Sequence, residues 1–317
     1  MAVSNKRGGW AVVPDMLPRT RIEVGRAIIM ASGIGLMIAL GVDLITGRWV
    51  GAPWLHIVLA LCCVLAWLPL ARRVKYLQYG PLYVLGLLIY TVLRSYADNT
   101  AIAPRYDLVI ALEERLFFGH LPTVWLQEHL FEPAHVGPLD WLTVQVHWSY
   151  FFVPHIGAAL VWLFRRELFP RYVFLVLGTF YMGLVLYFLF PTVPPWLAAD
   201  YGVLPGVTRV MDYVGQQVDP GTYSRLYDAL GVPNAVAAMP SLHMGVTFAV
   251  YLFVRDIKPR LSWLLLGYSL LMGFSLVYMG EHYAVDVIVG AGCAYLVYRV
   301  YYFYQRRTAG RAEGTQD

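Results

Sequence analysis

A bundle of membrane-spanning α-helices is the fold class this sequence predicts, and three observations predict it. Of its 317 residues, 59% are hydrophobic and only 14% are charged, whereas a soluble domain is nearer half apolar and a quarter charged. Mean hydropathy is +0.56, and apolar runs of about 17–25 residues, the length that crosses hydrocarbon, recur along the chain. The 23 tyrosines and 10 tryptophans suit the aromatic belts at the two membrane–water interfaces.

Taken in order, residues 1–26 are polar and basic and read as a cytoplasmic segment. Eight apolar runs then read as spans: 27–46, 53–71, 80–96, 141–164, 171–190, 240–254, 261–280 and 283–304. The first is too long for a signal-peptide core and lacks a cleavage site, so it is expected to remain as a signal anchor. The third is interrupted by Arg94 and the sixth is short. Residues 305–317 form a polar cytoplasmic tail. Cys62, Cys63 and Cys293 lie inside apolar runs and read as packing residues, not as a disulfide framework or a metal site. There is no tandem repeat and no soluble domain.

The positive charges orient the bundle. With the N-terminus in the cytoplasm, the inner segments hold 18 of the 24 lysines and arginines: five in the N-terminal segment, then Arg72, Arg73, Lys75; Arg165, Arg166, Arg171; Arg255, Lys258, Arg260; and Arg299, Arg306, Arg307, Arg311. The outer side holds Arg48, Arg94, Arg105, Arg115, Arg209 and Arg225, and no lysine. Every inner loop then obeys the positive-inside rule. The chain is expected in the plasma membrane if bacterial, with both termini cytoplasmic. Basic residues spread along an inner boundary are not a nucleic-acid surface.

Two outer segments are long. In the first, about Ser95 to Asp140, Tyr106–Phe118 and Leu121–Phe131 read as short amphipathic helices at the interface. The second, Pro191 to Met239, opens with Pro191, Pro194, Pro195 and Trp196 and reads as a stiff, non-helical turn. It leads straight into the sixth span and makes a natural roof.

Under that roof the chemistry collects. His282 and Asp286 are four residues apart, one turn of a helix face. The carboxylate can hold one imidazole nitrogen as N–H and leave the other to attack. The bland alternative is a pair that neutralises itself inside a bundle, although intramembrane ionisable groups lean towards function. His243 follows Pro240-Ser241, a helix-start signature that presents unpaired N–H groups suited to phosphate. Both motifs fall on the same predicted side of the membrane. Glu281 either raises the His282 pKa or is an exposed turn glutamate.

The segments Met239-Pro240-Ser241-Leu242-His243 and His282-Tyr283-Ala284-Val285-Asp286 resemble the type 2 phosphatidic acid phosphatase superfamily, and within it the inositol phosphorylceramide synthase branch. The stretches Leu116-Phe117-Phe118-Gly119-His120-Leu121-Pro122-Thr123-Val124-Trp125-Leu126-Gln127 and Phe190-Pro191-Thr192-Val193-Pro194-Pro195-Trp196 fit the bacterial members of that branch. The resemblance implies a six-helix catalytic domain at 80–304, with two accessory helices at 27–79. It implies His282 as the nucleophile that becomes a phosphohistidine, Asp286 as its orienting carboxylate and His243 as the acid that then serves as base. It implies no metal and no cofactor.

The chain departs from the phosphatase branch in two places. The Lys-x6-Arg-Pro motif is absent, and Ser275 keeps its register while Leu276 stands where an arginine would be. Fewer cations suit a monoanionic phosphodiester better than a dianionic monoester. The expectation is a lipid phosphotransferase that moves a phospho-headgroup from a phospholipid or polyprenyl-phosphate-type donor to a hydroxyl acceptor. Water as acceptor would make it a phosphatase; a lipid-phosphate transporter and an inactive scaffold are the rival classes. Candidate outer cations are Arg105, Arg115, Arg209 and Arg225, with Arg209 and Arg225 in the roof preferred. Ser241, Ser275, His147, Tyr150 and Asn234 complete the candidate substrate-binding set.

Overall fold

The computed structural model describes residues 79–97, 102–204, 206–218, 221 and 237–313. The expected spans at 27–46 and 53–71 lie outside the described residues, as do Arg225 and Asn234. The first core helix, α1 (Tyr79–Ala97), follows the expected third span. Next come α2 (Asp107–Leu116), α3 (Pro122–Leu130), α4 (Pro138–Ser149), α5 (Val153–Phe164) and α6 (Phe169–Leu189). The roof carries α7 (Pro195–Asp200) and α8 (Val210–Val218). The chain closes with α9 (Leu242–Arg255), α10 (Pro259–Tyr278) and α11 (Ala284–Glu313).

Among the described residues three helices are long and apolar enough to cross a membrane: Arg166–Leu189, Pro259–Tyr278 and Ala284–Arg307. The pair α4 and α5 makes a fourth if it counts as one span, and Leu82–Arg94 and Leu242–Arg255 are shorter apolar helices. These six positions are those expected for spans three to eight. The fourth departs from a straight rod: it bends by 44° between Ser149 and Val153. Pro154 lies in the first turn of α5, where proline is tolerated but cannot continue the ladder of the preceding helix.

The expected short helices appear as α2 and α3. The roof differs from the non-helical turn expected of it. Pro195 occupies the first turn of α7, where its fixed φ suits a helix start and its missing N–H leaves nothing unsatisfied. No strand forms among the described residues. Isolated bridges join Arg105 to Thr192 and Thr192 to Ala237, so the backbone around these three residues meets just before α9.

Helix α9 is the hub. It packs on α10, α11, α6 and α5, and Leu242, Val246, Val250 and Phe253 lie in the main apolar core with residues of α6. Two glycines let α9 meet α11 backbone to backbone. A Cβ on Gly290 would fall 2.1 Å from the Ser241 carbonyl oxygen, and one on Gly245 would fall 3.0 Å from that of Gly290. At this crossing Ser241 N–H donates to the Asp286 carbonyl at 2.9 Å. The start of α9 is therefore fixed directly to the residue expected to orient His282.

Candidate active site

His282 sits in a turn whose shape follows from one glycine. Helix α10 ends at Tyr278, and Gly280 takes φ +75°. Glu281 N–H donates back to Leu276 O at 3.0 Å and Gly280 N–H to Val277 O at 3.2 Å. This paired closure is the Schellman ending, which needs the left-handed conformation that glycine adopts without strain. His282 N–H also reaches Leu276 O, at 3.2 Å. Leu276, where the phosphatase branch has arginine, is fully buried in the bundle.

Helix α11 then begins. Asp286 Oδ2 accepts from Tyr283 N–H at 2.9 Å, the backward half of a capping box. The same oxygen lies 3.6 Å from His282 Nδ1, longer than a hydrogen bond. Both groups are buried, Asp286 completely. Catalytic contacts of this kind commonly tighten only when substrate is bound. With Nδ1 turned towards the carboxylate, the other ring nitrogen of His282 is the one left to react.

His243 comes from the first turn of α9, whose N-cap is Ser241: its side-chain oxygen accepts from Met244 N–H at 3.4 Å. The His243 and His282 rings lie 5.7 Å apart between centroids, edge to face. The two histidines and Asp286 thus converge at one end of the bundle.

Among the substrate-binding candidates, His147 and Tyr150 join them. The His147 ring is 4.6 Å and the Tyr150 ring 4.3 Å from that of His243. His147 is buried, and its Nδ1 has no hydrogen-bond partner among the described residues. Its helix is held in place two turns earlier, where Tyr278 donates to Asp140 at 2.5 Å, and at its end, where the Ser149 and Tyr268 hydroxyls meet at 2.6 Å. The helix break puts Tyr150 and Phe151 against His243. Ser275 is buried, and its hydroxyl donates to Leu271 O within α10.

Arg209 acts as a brace. It bonds Glu281 at 2.7 and 3.2 Å, bonds Asp212 at 3.1 Å and stacks over Trp196 at 4.3 Å. Glu281 is thereby the partner of a roof arginine. Gln127 of α3 adds a second tie, donating to Thr208 O and Tyr278 O and accepting from Thr208 N–H, each at 2.8 Å. Arg105 and Arg115 are exposed.

Two residues absent from the sequence-derived candidates stand close to this centre. Arg94, in the last turn of α1, lies within electrostatic reach of His243, Tyr150 and Tyr187. A lone arginine in an apolar run was its signal, since such charges are expensive in hydrocarbon. Glu113 of α2 accepts from Ala284 N–H at 2.5 Å; no local pattern announces that contact. Burial pushes the Glu113 carboxyl up to about 7. No cluster of three or more metal-ligating side chains occurs among the described residues.

Comparison with known proteins identifies the family. Residues 108–300 match the profile of the PAP2 superfamily. The chain is 28% identical to the phosphoinositol dihydroceramide synthase of Bacteroides thetaiotaomicron over 153 residues, 44% of this chain and 48% of that protein. It is 28% identical to the inositol phosphorylceramide synthase of Candida albicans over 165 residues, 48% of this chain and 33% of that protein. With the catalytic subunit of the Saccharomyces cerevisiae inositol phosphorylceramide synthase, identity is 28% over 127 residues, 37% of this chain and 30% of that protein. The chain spans less than half the length of the curated relatives it matches. No solved structure matches it. These relatives carry the names of the branch that the motifs resemble, and His243, His282 and Asp286 all fall inside a match covering more than half of the sequence. The chain belongs to the PAP2 superfamily.

Proposed function

We propose that this protein is an integral-membrane lipid phosphotransferase working through a phosphohistidine on the extracytoplasmic face. One observation carries the reading: His243 from the first turn of α9 and His282 from the turn before α11 face each other at 5.7 Å, and Asp286 backs the second.

The cycle has two displacements. The free ring nitrogen of His282 attacks phosphorus, forming an N–P bond while the bond to the donor's lipid oxygen breaks. His243 gives that oxygen its proton. Asp286 stabilises the positive charge that develops on His282. In the second step His243 takes the proton of an acceptor hydroxyl, the acceptor oxygen bonds phosphorus, and the N–P bond breaks. The names of the relatives direct the choice of substrates: a phosphoinositol-type phosphodiester as donor and a ceramide-type hydroxyl as acceptor. Arg94 supplies positive potential for the phosphate from α1, and His147 offers a donor beside it. Tyr150 and Phe151 cover His243 with aromatic surface, which favours an apolar acceptor over water.

The test is turnover of labelled phosphatidylinositol with ceramide by the purified protein in bilayers. An acid-labile phosphoprotein should be trapped in the wild type and be absent from His282→Ala. His243→Ala and Asp286→Ala should each lower kcat by about 100-fold or more. A His282→Ala protein with wild-type turnover would end the covalent mechanism. A clear preference for phosphatidic acid would end the phosphodiester assignment. Arg94→Gln should raise KM for the donor by about 10-fold, since a hydrogen bond to a charged group contributes about 1.5–3 kcal/mol.

A further inference from the structure

Glu113 has a contact that the proposed mechanism does not use. It is fully buried on the interfacial helix α2, although glutamate is rarely so without a charged partner. Its partner is a helix start: Oε1 accepts from Ala284 N–H at 2.5 Å, across 171 positions of sequence, and the Val285 N–H also faces it. One turn earlier Val109, also buried, packs with Tyr283 in an apolar cluster that includes Val193 and Leu204. One face of α2 is thus seated on the residues that immediately follow His282. The neighbouring Glu114 and Arg115 are exposed.

Two carboxyl side chains therefore divide one set of donors. Asp286 takes Tyr283 N–H and Glu113 takes Ala284 N–H. The first N–H groups of a helix have no partner within it and attract the nearest acceptor. Without Glu113, the carboxylate left beside them among the described residues is Asp286, which lies 3.6 Å from His282 Nδ1. Drawn further onto the backbone, Asp286 would leave the imidazole less well oriented.

We propose that Glu113 is a positioning residue: from the interfacial helix it satisfies the start of α11, and so keeps Asp286 available to His282. The inference rests on the reading of His282 as nucleophile, and the experiment separates the two. Wild-type, Glu113→Gln and Glu113→Ala full-length proteins are placed in lipid nanodiscs and measured in two ways. Amide hydrogen exchange over residues 282–287 needs no substrate. Glu113→Ala should speed it about 10-fold, with exchange elsewhere unchanged, because local opening is governed by local contacts. Glu113→Gln, whose amide oxygen accepts the same N–H, should exchange as the wild type does.

Kinetics supply the second readout. Glu113→Ala should lower kcat by about 10- to 100-fold with KM within about twofold, the pattern of misplacing a reacting group without losing substrate binding. Glu113→Gln should stay within about threefold of wild type in both. Wild-type exchange or wild-type kcat in Glu113→Ala overturns the inference, as does failure of glutamine to rescue. A wild-type protein that turns over no phosphodiester lipid sinks the functional reading instead. The exchange measurement then still decides whether Glu113 fixes the start of α11.

Discussion

Asp286 shows how much one side chain does here. Its Oδ2 faces a backbone N–H at 2.9 Å and an imidazole nitrogen at 3.6 Å, so it touches both the helix start and the proposed nucleophile. The two roles separate by substitution. Asparagine can still accept from Tyr283 N–H but carries no charge to support an imidazolium. Asp286→Asn should lose about 10²- to 10⁴-fold in kcat while keeping a wild-type melting temperature. Asp286→Ala should lose similar activity and also about 0.5–2 kcal/mol of stability, the cost of deleting a helix cap. Kinetics and thermal melts of the two variants check this. If Asp286→Asn keeps its activity, the charge is not required.

Glu113 carries a pH signature of its own. Its carboxyl is raised from 4.5 to about 7 by burial, with the charge of Asp286 adding to the effect and the Ala284 and Val285 N–H groups opposing it. Tyr283, immediately before α11, is coupled to it as well. Because the folded state holds this proton more tightly than the unfolded chain does, the contribution is present below about pH 4.5 and fades as pH rises through about 7. In Glu113→Gln that slope should be absent, which melting temperatures between pH 4.5 and 8 will show. Spacing made the His282–Asp286 pair legible, since four residues along a helix is one face. Glu113 was not legible, because its partner lies 171 positions away and nothing near Glu113 records which helix start it will meet.

At the scale of elements, the distance between α9 and α11 decides whether His243 and His282 can share a phosphorus atom. Gly290 sets that distance, since any Cβ there meets the Ser241 carbonyl at 2.1 Å. Backbone cannot rotate aside as a side-chain tip does, so Gly290→Ala must part the helices. It should break the Ser241–Asp286 backbone bond, cost about 1–3 kcal/mol as overpacking does, and lower kcat more than it raises KM. Gly292 is the matched control on the same helix, where a Cβ meets nothing within 4 Å. Gly292→Ala should gain about 0.5–1 kcal/mol and leave turnover unchanged. Melting temperatures and kcat of the two variants separate crowding from a general intolerance of alanine. The helices expected from 80 to 304 were readable because apolar length is a strong local signal. The break at 150–152 is invisible in the apolar pattern, because Tyr150, Phe151 and Phe152 are as apolar as the helix turns on either side; its signal is Pro154, which starts α5 and cannot extend the helix before it.

For the whole molecule, the two ends of the bundle are chemically unlike, and the difference predicts its sidedness. One end gathers His243, His282, Asp286 and the roof. At the other, Asp256 pairs with Arg171 and accepts from the Tyr298 and Tyr302 hydroxyls, while Lys258 and Arg260 lie exposed in the adjoining turn. The positive-inside rule assigns that basic end to the cytoplasm. Phe118, 94% exposed between α2 and α3, belongs to the site end; Lys258 belongs to the other. In a variant whose native cysteines are replaced by alanine, Phe118→Cys should react with a membrane-impermeant maleimide added to intact cells. Lys258→Cys should react only after the membrane is opened. The reverse pattern would put the site in the cytoplasm and its substrates in the inner leaflet. The forward pattern requires a donor and an acceptor that are both present in the outer leaflet. The aromatic break beside His243, where Tyr150 and Phe151 pack on its ring, is then the place to look for the path by which both lipids enter.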